Sequence, residues 1–192
     1  MIELIEKTRS SAFGFFDLRP IMWIVRSQAP AYFLYDTHWT ARAALDGFNA
    51  IVKADGHSEW LMDADAALTP PAQHQGGDLA RMIDVSDAVA EPRQKIDLSA
   101  PPFPSYVATS GEPGETIMII GESFTEAYFA PMLLKHVGRV VWQHHWLCRF
   151  DWKLIDSFRP DEVWWMPTER QFLCIPNVRP EGFPGRQQAV SR

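Results

Sequence analysis

Apolar positions in the first third of the chain recur with the period of a helix. Five apolar residues between positions 44 and 52 follow the spacing i, i+1, i+4, i+7 and i+8, which places them on one face of a helix. Thr40 can cap the N-terminus of this helix, and Asp55 with Gly56 should end it. A shorter helix is predicted after Pro20, because proline is favoured in a first helical turn.

Short apolar runs between turn residues predict buried strands. The run from Thr116 to Ile120, bounded by Gly114 and Gly121, fits a central strand that is buried on both faces. The predicted strands are residues 31–35, 116–120, 139–144 and 162–166. Helices are predicted over residues 78–83, 125–137 and 152–158, and Pro131 should kink or split the second of them. This alternation predicts an α/β fold with a mostly parallel sheet, whose sites lie at the carboxyl ends of strands.

Prolines and glycines divide the chain unevenly. Seven of the 15 prolines fall within residues 54–116, which predicts a long irregular insertion there. The remainder of residues 1–175 is predicted to form one domain, because 192 residues suffice for a single well-buried core. Residues 176–192 are predicted to be a flexible tail.

Composition and charge exclude several classes of function. The formal net charge is −6 and there is no long basic run, so nucleic acid is an unfavourable partner. No apolar stretch approaches the roughly 20 residues that span a bilayer, and the N-terminal residues do not resemble an export signal. Cys148 and Cys174 have no zinc-site spacing; either a single disulfide or two free thiols is compatible with them. We expect no metal and no cofactor.

Asp36 and His38 form the first candidate for chemistry. On an extended strand end, residues i and i+2 face the same side, so the carboxylate can orient the imidazole as a general base. The alternative is that Asp36 is an ordinary loop residue near a histidine by chance.

Ser123 is the second candidate. It follows a predicted strand and opens a helix, where free backbone N–H groups can stabilise an oxyanion during acyl transfer. The alternative is a serine that only caps a helix. Because both candidates lie at carboxyl ends of predicted strands, we expect Ser123, His38 and Asp36 to act together as nucleophile, base and orienting acid.

Five blocks of sequence carry a resemblance to a known family. They are Tyr35-Asp36-Thr37-His38-Trp39-Thr40, Gly76-Gly77-Asp78-Leu79-Ala80, Gly121-Glu122-Ser123-Phe124, Pro160-Asp161-Glu162-Val163 and Glu169-Arg170. Across residues 16–172 the chain resembles the AlgJ/AlgX family of alginate and related polysaccharide O-acetylation. The resemblance implies an SGNH-hydrolase-like (flavodoxin-like) three-layer fold, a periplasmic location, and the triad roles given above for Ser123, His38 and Asp36.

The chain departs from this family in two places. Glu122 stands where the family has Asp in a G-D-S-F block, which keeps the charge and lengthens the side chain. Only 35 residues precede Asp36, and family members have more, so we expect that the fold is incomplete at its N-terminus.

Three further residues are candidates for substrate binding: Trp39, His145 and Arg170. An indole can stack on a sugar ring and Arg170 can bind an anionic polysaccharide, although core packing and a structural ion pair are the ordinary roles of such residues. The function we expect is polysaccharide O-acetylation, with a polysaccharide acceptor and an acetyl donor such as a membrane acetyl-transfer protein as partners. A carbohydrate acetylesterase and a non-catalytic binding remnant of the family are the alternatives.

Overall fold

The computed structural model describes residues 14–98, 107–110, 112–145 and 150–171. They group into two compact units, one on each side of residue 100. Predictions for Cys148, Cys174 and the tail at 176–192 lie outside the described residues. None of the helices in the described ranges has the length and hydrophobicity needed to span a bilayer.

The first unit is built around a long helix. The α-helices within its described residues are α1 (Arg19–Gln28), α2 (Ala41–Asp55), α3 (Ala64–Ala67) and α4 (Asp78–Met82). The predicted ends of α2 are confirmed, because Thr40 Oγ1 accepts a hydrogen bond from the Ala43 N–H at 3.2 Å and Gly56 adopts a left-handed φ of 98°. Both devices satisfy backbone groups that a helix end leaves without partners.

The apolar face of α2 forms the core of this unit. Leu45, Phe48 and Val52 are fully buried on it, and α1 packs against it with Val25 inside. Each large apolar side chain buried in this way contributes about 1.5–3 kcal/mol to the free energy of unfolding. The helical spacing read from the sequence is therefore the spacing of the core.

The predicted strand at residues 31–35 is wrong. This segment is one arm of a tight turn, in which Tyr32 pairs with Trp39 as an isolated bridge and Phe33 N–H donates to the carbonyl of His38 at 3.1 Å. Leu34 is 72% exposed, so the run is not a buried strand despite its apolar composition. Asp36 and His38 consequently lie in a turn rather than at the end of a strand of a parallel sheet.

A two-stranded antiparallel ribbon lies within residues 54–116, where the prolines predict irregular chain. It consists of β1 (Ala72–Gln75) and β2 (Ala90–Arg93), paired so that Ala72 faces Arg93. The apolar pattern gives no sign of it because β1 is polar and fully exposed. Pro92 is compatible with β2 because a ribbon strand has an unpaired edge.

The described residues of the second unit form a four-stranded sheet. Its strands are β3 (Val107–Thr109), β4 (Thr116–Gly121), β5 (Arg139–His144) and β6 (Glu162–Trp165), and their order in the sheet is β3-β5-β4-β6. β4 pairs in parallel with β5 and β6, and β3 pairs antiparallel with β5. All six residues of β4 are buried. The predicted α/β class with a mostly parallel sheet is confirmed, and β4 is its central strand.

The segment after β4 is split into two short helices, as Pro131 predicted. They are α5 (Ser123–Glu126) and α6 (Phe129–Leu133), and α7 (Trp152–Phe158) follows β5 as expected. Pro131 lies in the first turn of α6, where its missing N–H removes the bond that would join α6 to the turn before it. The predicted helix end at Val137 is wrong, since α6 ends at Leu133 and separate turns continue to Val137.

Candidate active site

Asp36 and His38 are brought into direct contact by the turn that carries them. Asp36 Oδ1 lies 2.6 Å from His38 Nδ1 and also accepts the His38 backbone N–H at 3.1 Å. An aspartate that bonds the backbone two residues ahead stabilises a turn, which is how such a short segment holds its shape. The pair expected from the sequence is therefore present, but a turn forms it and an extended strand does not.

This contact determines which nitrogen of His38 is available for chemistry. When Nδ1–H donates to Asp36, the lone pair of the neutral ring is on Nε2. The His38 side chain is 31% exposed, and that of Asp36 only 10%. A shielded carboxylate behind an accessible imidazole is the arrangement that a general base requires.

Arg93 and Glu91, both on β2, complete the surroundings of Asp36. The two terminal nitrogens of Arg93 each lie 3.3 Å from Asp36 Oδ2, and Arg93 Nη2 donates to Glu91 Oε1 at 2.7 Å. Residues i and i+2 of a strand face the same side, which is why both side chains of this Glu-x-Arg pair reach the turn. Each oxygen of Asp36 thus has its own partner.

These partners keep Asp36 ionised. Burial acts to raise the pKa of the Asp36 carboxyl group, but hydrogen bonds from the His38 ring and backbone, together with the charges of His38 and Arg93, lower its pKa from 3.8 to about 2. Asp36 is therefore a carboxylate throughout the neutral range, as an orienting acid must be.

The lowered pKa of Asp36 predicts a specific acid sensitivity. Because the folded-state pKa is below the unfolded one, the carboxylate stabilises the fold above about pH 4, and this stabilisation is lost as pH falls toward 2. Between pH 5 and pH 2 the free energy of unfolding should fall by about 2 kcal/mol more in the parent than in Asp36→Asn. Urea titrations at both pH values measure the difference.

Asp46→Asn, which removes a carboxylate paired with Arg42 at 2.7 Å on α2, is the matched control. Equal losses in the parent and in Asp36→Asn would contradict the prediction.

The Gly76-Gly77-Asp78 block packs against the same turn. Asp78, the first residue of α4, accepts the Thr37 backbone N–H at 2.7 Å and also the Thr37 hydroxyl. Its second oxygen lies 3.8 Å from His38 Nδ1. Gly77 approaches so closely that a Cβ there would lie 2.0 Å from Asp36 Oδ2. A side chain at position 77 would therefore displace the acid.

Asp36, His38 and Asp78 also present three potential metal-ligand atoms within 4.8 Å of one another. Two atoms that ligate one zinc ion tetrahedrally at about 2.0–2.1 Å lie more than about 3 Å apart. The 2.6 Å between Asp36 Oδ1 and His38 Nδ1 is instead the length of a charge-assisted hydrogen bond. The spacing of this pair fits a shared proton better than a shared metal ion.

Ser123 lies in the second unit, directly after the central strand. β4 ends at Gly121, Glu122 takes the extended N-cap conformation, and Ser123 is the first residue of α5. The predicted strand–serine–helix order is confirmed. The pairing of Ser123 with His38 stays a prediction.

Glu122 is held in the interior beside Ser123. Its side chain is almost completely buried, Oε2 accepts the Thr168 hydroxyl at 2.9 Å, and Oε1 lies 3.1 Å from His145 Nε2. One carboxylate thereby connects the turn after β4 with the chain segments that follow β5 and β6. The glutamate found in place of the family's aspartate is a packed residue, and its added methylene contributes to this reach.

The three predicted substrate-binding residues differ in their surroundings. His145 is fully buried, with Nε2 3.1 Å from Glu122 Oε1, and Trp39 is only 6% exposed. Burial of this kind is typical of packing residues, and the binding roles of His145 and Trp39 stay predictions. Arg170 lies in a short 3-10 helix, Glu169–Gln171, and its side chain lies outside the described part of the chain. Its binding role stays a prediction.

Glu91, Arg93 and the contacts of Asp78 were not predicted from the sequence. The i, i+2 spacing of the oppositely charged pair in Glu91-Pro92-Arg93 was the available signal, since it places both side chains on one face of a strand. Asp78 was present in the Gly-Gly-Asp block, but only as a mark of resemblance. No local pattern connects these residues with the turn at Asp36.

The described residues thus combine a mostly parallel α/β sheet, a serine after its central strand and an aspartate–histidine pair. The model of the family described as "SGNH hydrolase-like domain, acetyltransferase AlgX" matches residues 3–147. The chain therefore belongs to this family of SGNH-type acetyltransferases. A comparison with curated proteins found no match.

Several solved structures are similar to this chain, and three of them follow. A DHHW family protein from Eubacterium siraeum has 11% identity and a TM-score of 0.56, with 79% of this chain and 63% of that chain covered. PatB1 of Bacillus cereus, solved with a sulfonyl adduct, has 13% identity and a TM-score of 0.54, with 86% and 71% covered. The O-acetyltransferase domain of Pseudomonas putida AlgJ has 16% identity and a TM-score of 0.42, with 79% and 58% covered. The first two show a shared fold. This chain spans less than two thirds of the Eubacterium and AlgJ chains.

Proposed function

We propose that this protein is a polysaccharide O-acetyltransferase that moves an acetyl group through Ser123 to a sugar hydroxyl. The observation that carries the proposal is the 2.6 Å contact between Asp36 and His38 in a member of an acetyltransferase family. The low pKa of Asp36 and the position of Ser123 after β4 support it. An acceptor of the alginate or exopolysaccharide type, and a periplasmic location, are parts of the proposal that rest on the family.

The first half of the reaction forms an acetyl-enzyme. His38 Nε2 takes the proton from the Ser123 hydroxyl as Oγ attacks the carbonyl carbon of the acetyl donor. The tetrahedral intermediate collapses, the bond between the carbonyl carbon and the donor's leaving oxygen breaks, and His38 returns its proton to that oxygen. Asp36 remains ionised and holds Nδ1–H throughout, so that Nε2 faces the reacting groups.

The second half transfers the acetyl group to the acceptor. A sugar hydroxyl gives its proton to His38 Nε2 while its oxygen attacks the acetyl carbon on Ser123. Collapse of this intermediate breaks the bond to Ser123 Oγ, which recovers the proton from His38. The net change is the exchange of an acetyl group between two hydroxyl oxygens, and no further reactant is needed.

An acetylesterase is the second candidate. It needs only water in place of the sugar hydroxyl in the second half-reaction. The 31% exposure of the His38 side chain favours this candidate, because water reaches an accessible imidazole without help. Acceptor selection, rather than the triad itself, therefore separates a transferase from an esterase.

A covalent trap and an acceptor assay test the proposal. A sulfonyl fluoride should add one adduct to the parent, with fluoride as the leaving group, and peptide mass spectrometry should find it on Ser123. Ser123→Ala should stay unlabelled, whereas Ser157→Ala, which removes an exposed serine on α7, should label like the parent. With an activated acetyl ester and alginate oligosaccharides, acetylated sugar should accumulate faster than free acetate.

The outcomes separate the candidate functions. Labelling of Ser123 with free acetate as the only product would favour the esterase. Labelling that does not depend on Ser123, with neither product formed, would overturn the acyl-transfer proposal and leave the non-catalytic reading. A membrane acetyl-transfer protein is the donor we propose in the cell, and the activated ester replaces it in the assay.

A further inference from the structure

We propose that Arg93 is a positioning residue of the acyl-transfer centre, which holds the Asp36 carboxylate so that Oδ1 faces the ring of His38. The inference rests on the proposed function, since it names a residue that acts on the same centre. Arg93 does not touch His38 in the contacts described, so its effect on chemistry passes through Asp36.

The two oxygens of Asp36 have separate tasks. Oδ1 bonds the ring and the backbone of His38, at 2.6 and 3.1 Å. Oδ2 faces the two terminal nitrogens of Arg93, both at 3.3 Å. A guanidinium presents its donors in a rigid plane. Arg93 therefore restrains rotation of the Asp36 carboxylate in addition to balancing its charge. Rotation would remove Oδ1 from Nδ1, and Arg93 opposes it.

Arg93 is itself fixed from two sides. Its Nη2 donates to Glu91 Oε1 at 2.7 Å, and its guanidinium carbon lies 4.1 Å from the centre of the Phe33 ring. Glu91 in turn accepts the Leu34 backbone N–H through Oε2 at 2.7 Å. The side chains of Arg93 and Glu91 are 14% and 9% exposed. Two side chains of β2 thus hold the turn: Glu91 binds the backbone of the turn at Leu34, and Arg93 binds the carboxylate of Asp36.

The charge of Arg93 has a second, measurable effect, which is on the pKa of Asp36. Arg93 lies within ion-pair distance of both Asp36 and Glu91. Its charge contributes to the lowered pKa of the Asp36 carboxyl group, so removing Arg93 should raise that pKa.

A purely structural ion pair is the competing interpretation. In that case Arg93 would support the fold, and its loss would lower activity by the same factor whether or not Asp36 is intact. A positioning residue behaves differently, because its contribution disappears once Asp36 can no longer act. Comparison of single and double variants distinguishes the two.

The experiment uses the full chain with Arg93→Gln, Arg93→Lys, Asp36→Asn and the double variant Asp36→Asn/Arg93→Gln. Hydrolysis of 4-nitrophenyl acetate from pH 5 to 9 gives kcat and KM, with Ser123→Ala as baseline. Carbon-13 NMR of the carboxyl groups follows Asp36 itself. Arg42→Gln, which removes a surface arginine paired with Asp46 on α2, is the control and should match the parent. Circular dichroism checks that every variant is folded.

The expected results are specific to each variant. Arg93→Gln should lower kcat about 10- to 100-fold, with KM changed less than about 3-fold, because misplacement of a catalytic group affects the transition state most. Arg93→Lys keeps the charge without the planar fork, so the pKa of Asp36 should stay near that of the parent while kcat is only partly restored. In the Asp36→Asn background, Arg93→Gln should have no further effect on kcat.

Two outcomes would overturn the inference. One is parent-like kcat in a folded Arg93→Gln, and the other is an equal loss of kcat in both backgrounds. If the parent and Ser123→Ala are equally inactive, that result overturns the proposed function but does not by itself decide the role of Arg93. The NMR titration still decides on Arg93 in that case, since an unchanged Asp36 pKa in Arg93→Gln would show that the arginine does not control the acid.

Discussion

Replacement of Ser123 by alanine is expected to lower kcat/KM for an acetyl ester by roughly 10⁴- to 10⁶-fold, the largest effect of any single change in this chain. Without the hydroxyl no acetyl-enzyme can form, and the His38–Asp36 pair has no proton to accept from a nucleophile. Release of the chromophoric alcohol under single-turnover and steady-state conditions measures the loss. The fold should be unchanged, because a serine-to-alanine change at the start of α5 removes one oxygen atom.

Ser157→Ala is the matched control for this experiment. Ser157 is an exposed serine whose hydroxyl bonds a backbone carbonyl within α7, so its removal should leave turnover at the parent level. An acetyl-enzyme detected by mass spectrometry in the parent and absent from Ser123→Ala would link the kinetics to one residue. Release at the parent rate by folded Ser123→Ala would end the serine mechanism.

Asp36→Asn should have the second-largest effect, a loss of roughly 10³- to 10⁴-fold in kcat. The amide has one acceptor oxygen, while Asp36 has donors on both sides: the ring and backbone of His38, and the guanidinium of Arg93. If the amide NH₂ faces Nδ1, the ring must accept there and carry its proton on Nε2, where it can no longer act as base. If the amide NH₂ instead faces Arg93, it meets the N–H groups of the guanidinium, and two donor groups cannot form a hydrogen bond. Steady-state kinetics at pH 7 to 8 measure the loss.

Asp46→Asn is the control for the removal of a paired carboxylate. Asp46 forms a half-buried pair with Arg42 one turn away on α2, outside the turn at Asp36, so its amide should leave activity at the parent level. The tautomer of His38 gives an independent check, since nitrogen-15 NMR should show the proton on Nδ1 in the parent and on Nε2 in a share of Asp36→Asn molecules. Parent-like turnover in folded Asp36→Asn would remove the acid from the mechanism.

The parts of the fold that the sequence predicts are those where burial is periodic or complete. The apolar residues of α2 recur with the helical period and are buried, and the run of β4 is continuous and buried on both faces. Ser123 was placed correctly because the strand before it and the break at Gly121 are both local signals. In these segments local preference and tertiary environment agree.

The turn at Asp36 was predicted less well because two of its large apolar residues are exposed. Tyr32 is 51% exposed and Leu34 72%, so the run from Ala31 to Tyr35 has the composition of a strand and the environment of a loop. The contact between Asp36 and His38 was still predicted, because residues i and i+2 face the same side of an extended backbone. The hydrogen bond that closes the turn was not.

The partners of the turn could not be read from the sequence. Arg93 lies 57 positions after Asp36, and Asp78 lies 41 positions after Thr37. The contact of Arg93 depends on the ribbon of β1 and β2. Because β1 is polar and exposed, no hydrophobic periodicity in the sequence predicts this ribbon. The buried states of Trp39 and His145 were missed for the same reason, because burial of single residues follows from tertiary packing.

Gly77 has a consequence for anyone who wishes to redesign this centre. A Cβ at position 77 would fall within the space of the Asp36 side chain, closest to its carboxylate oxygen Oδ2. Position 77 therefore accepts no side chain while Asp36 keeps its place. Engineering of the proton-accepting half must therefore treat residues 36 and 77 as one unit, in which the smallest side chain and the acid are exchanged together or left alone.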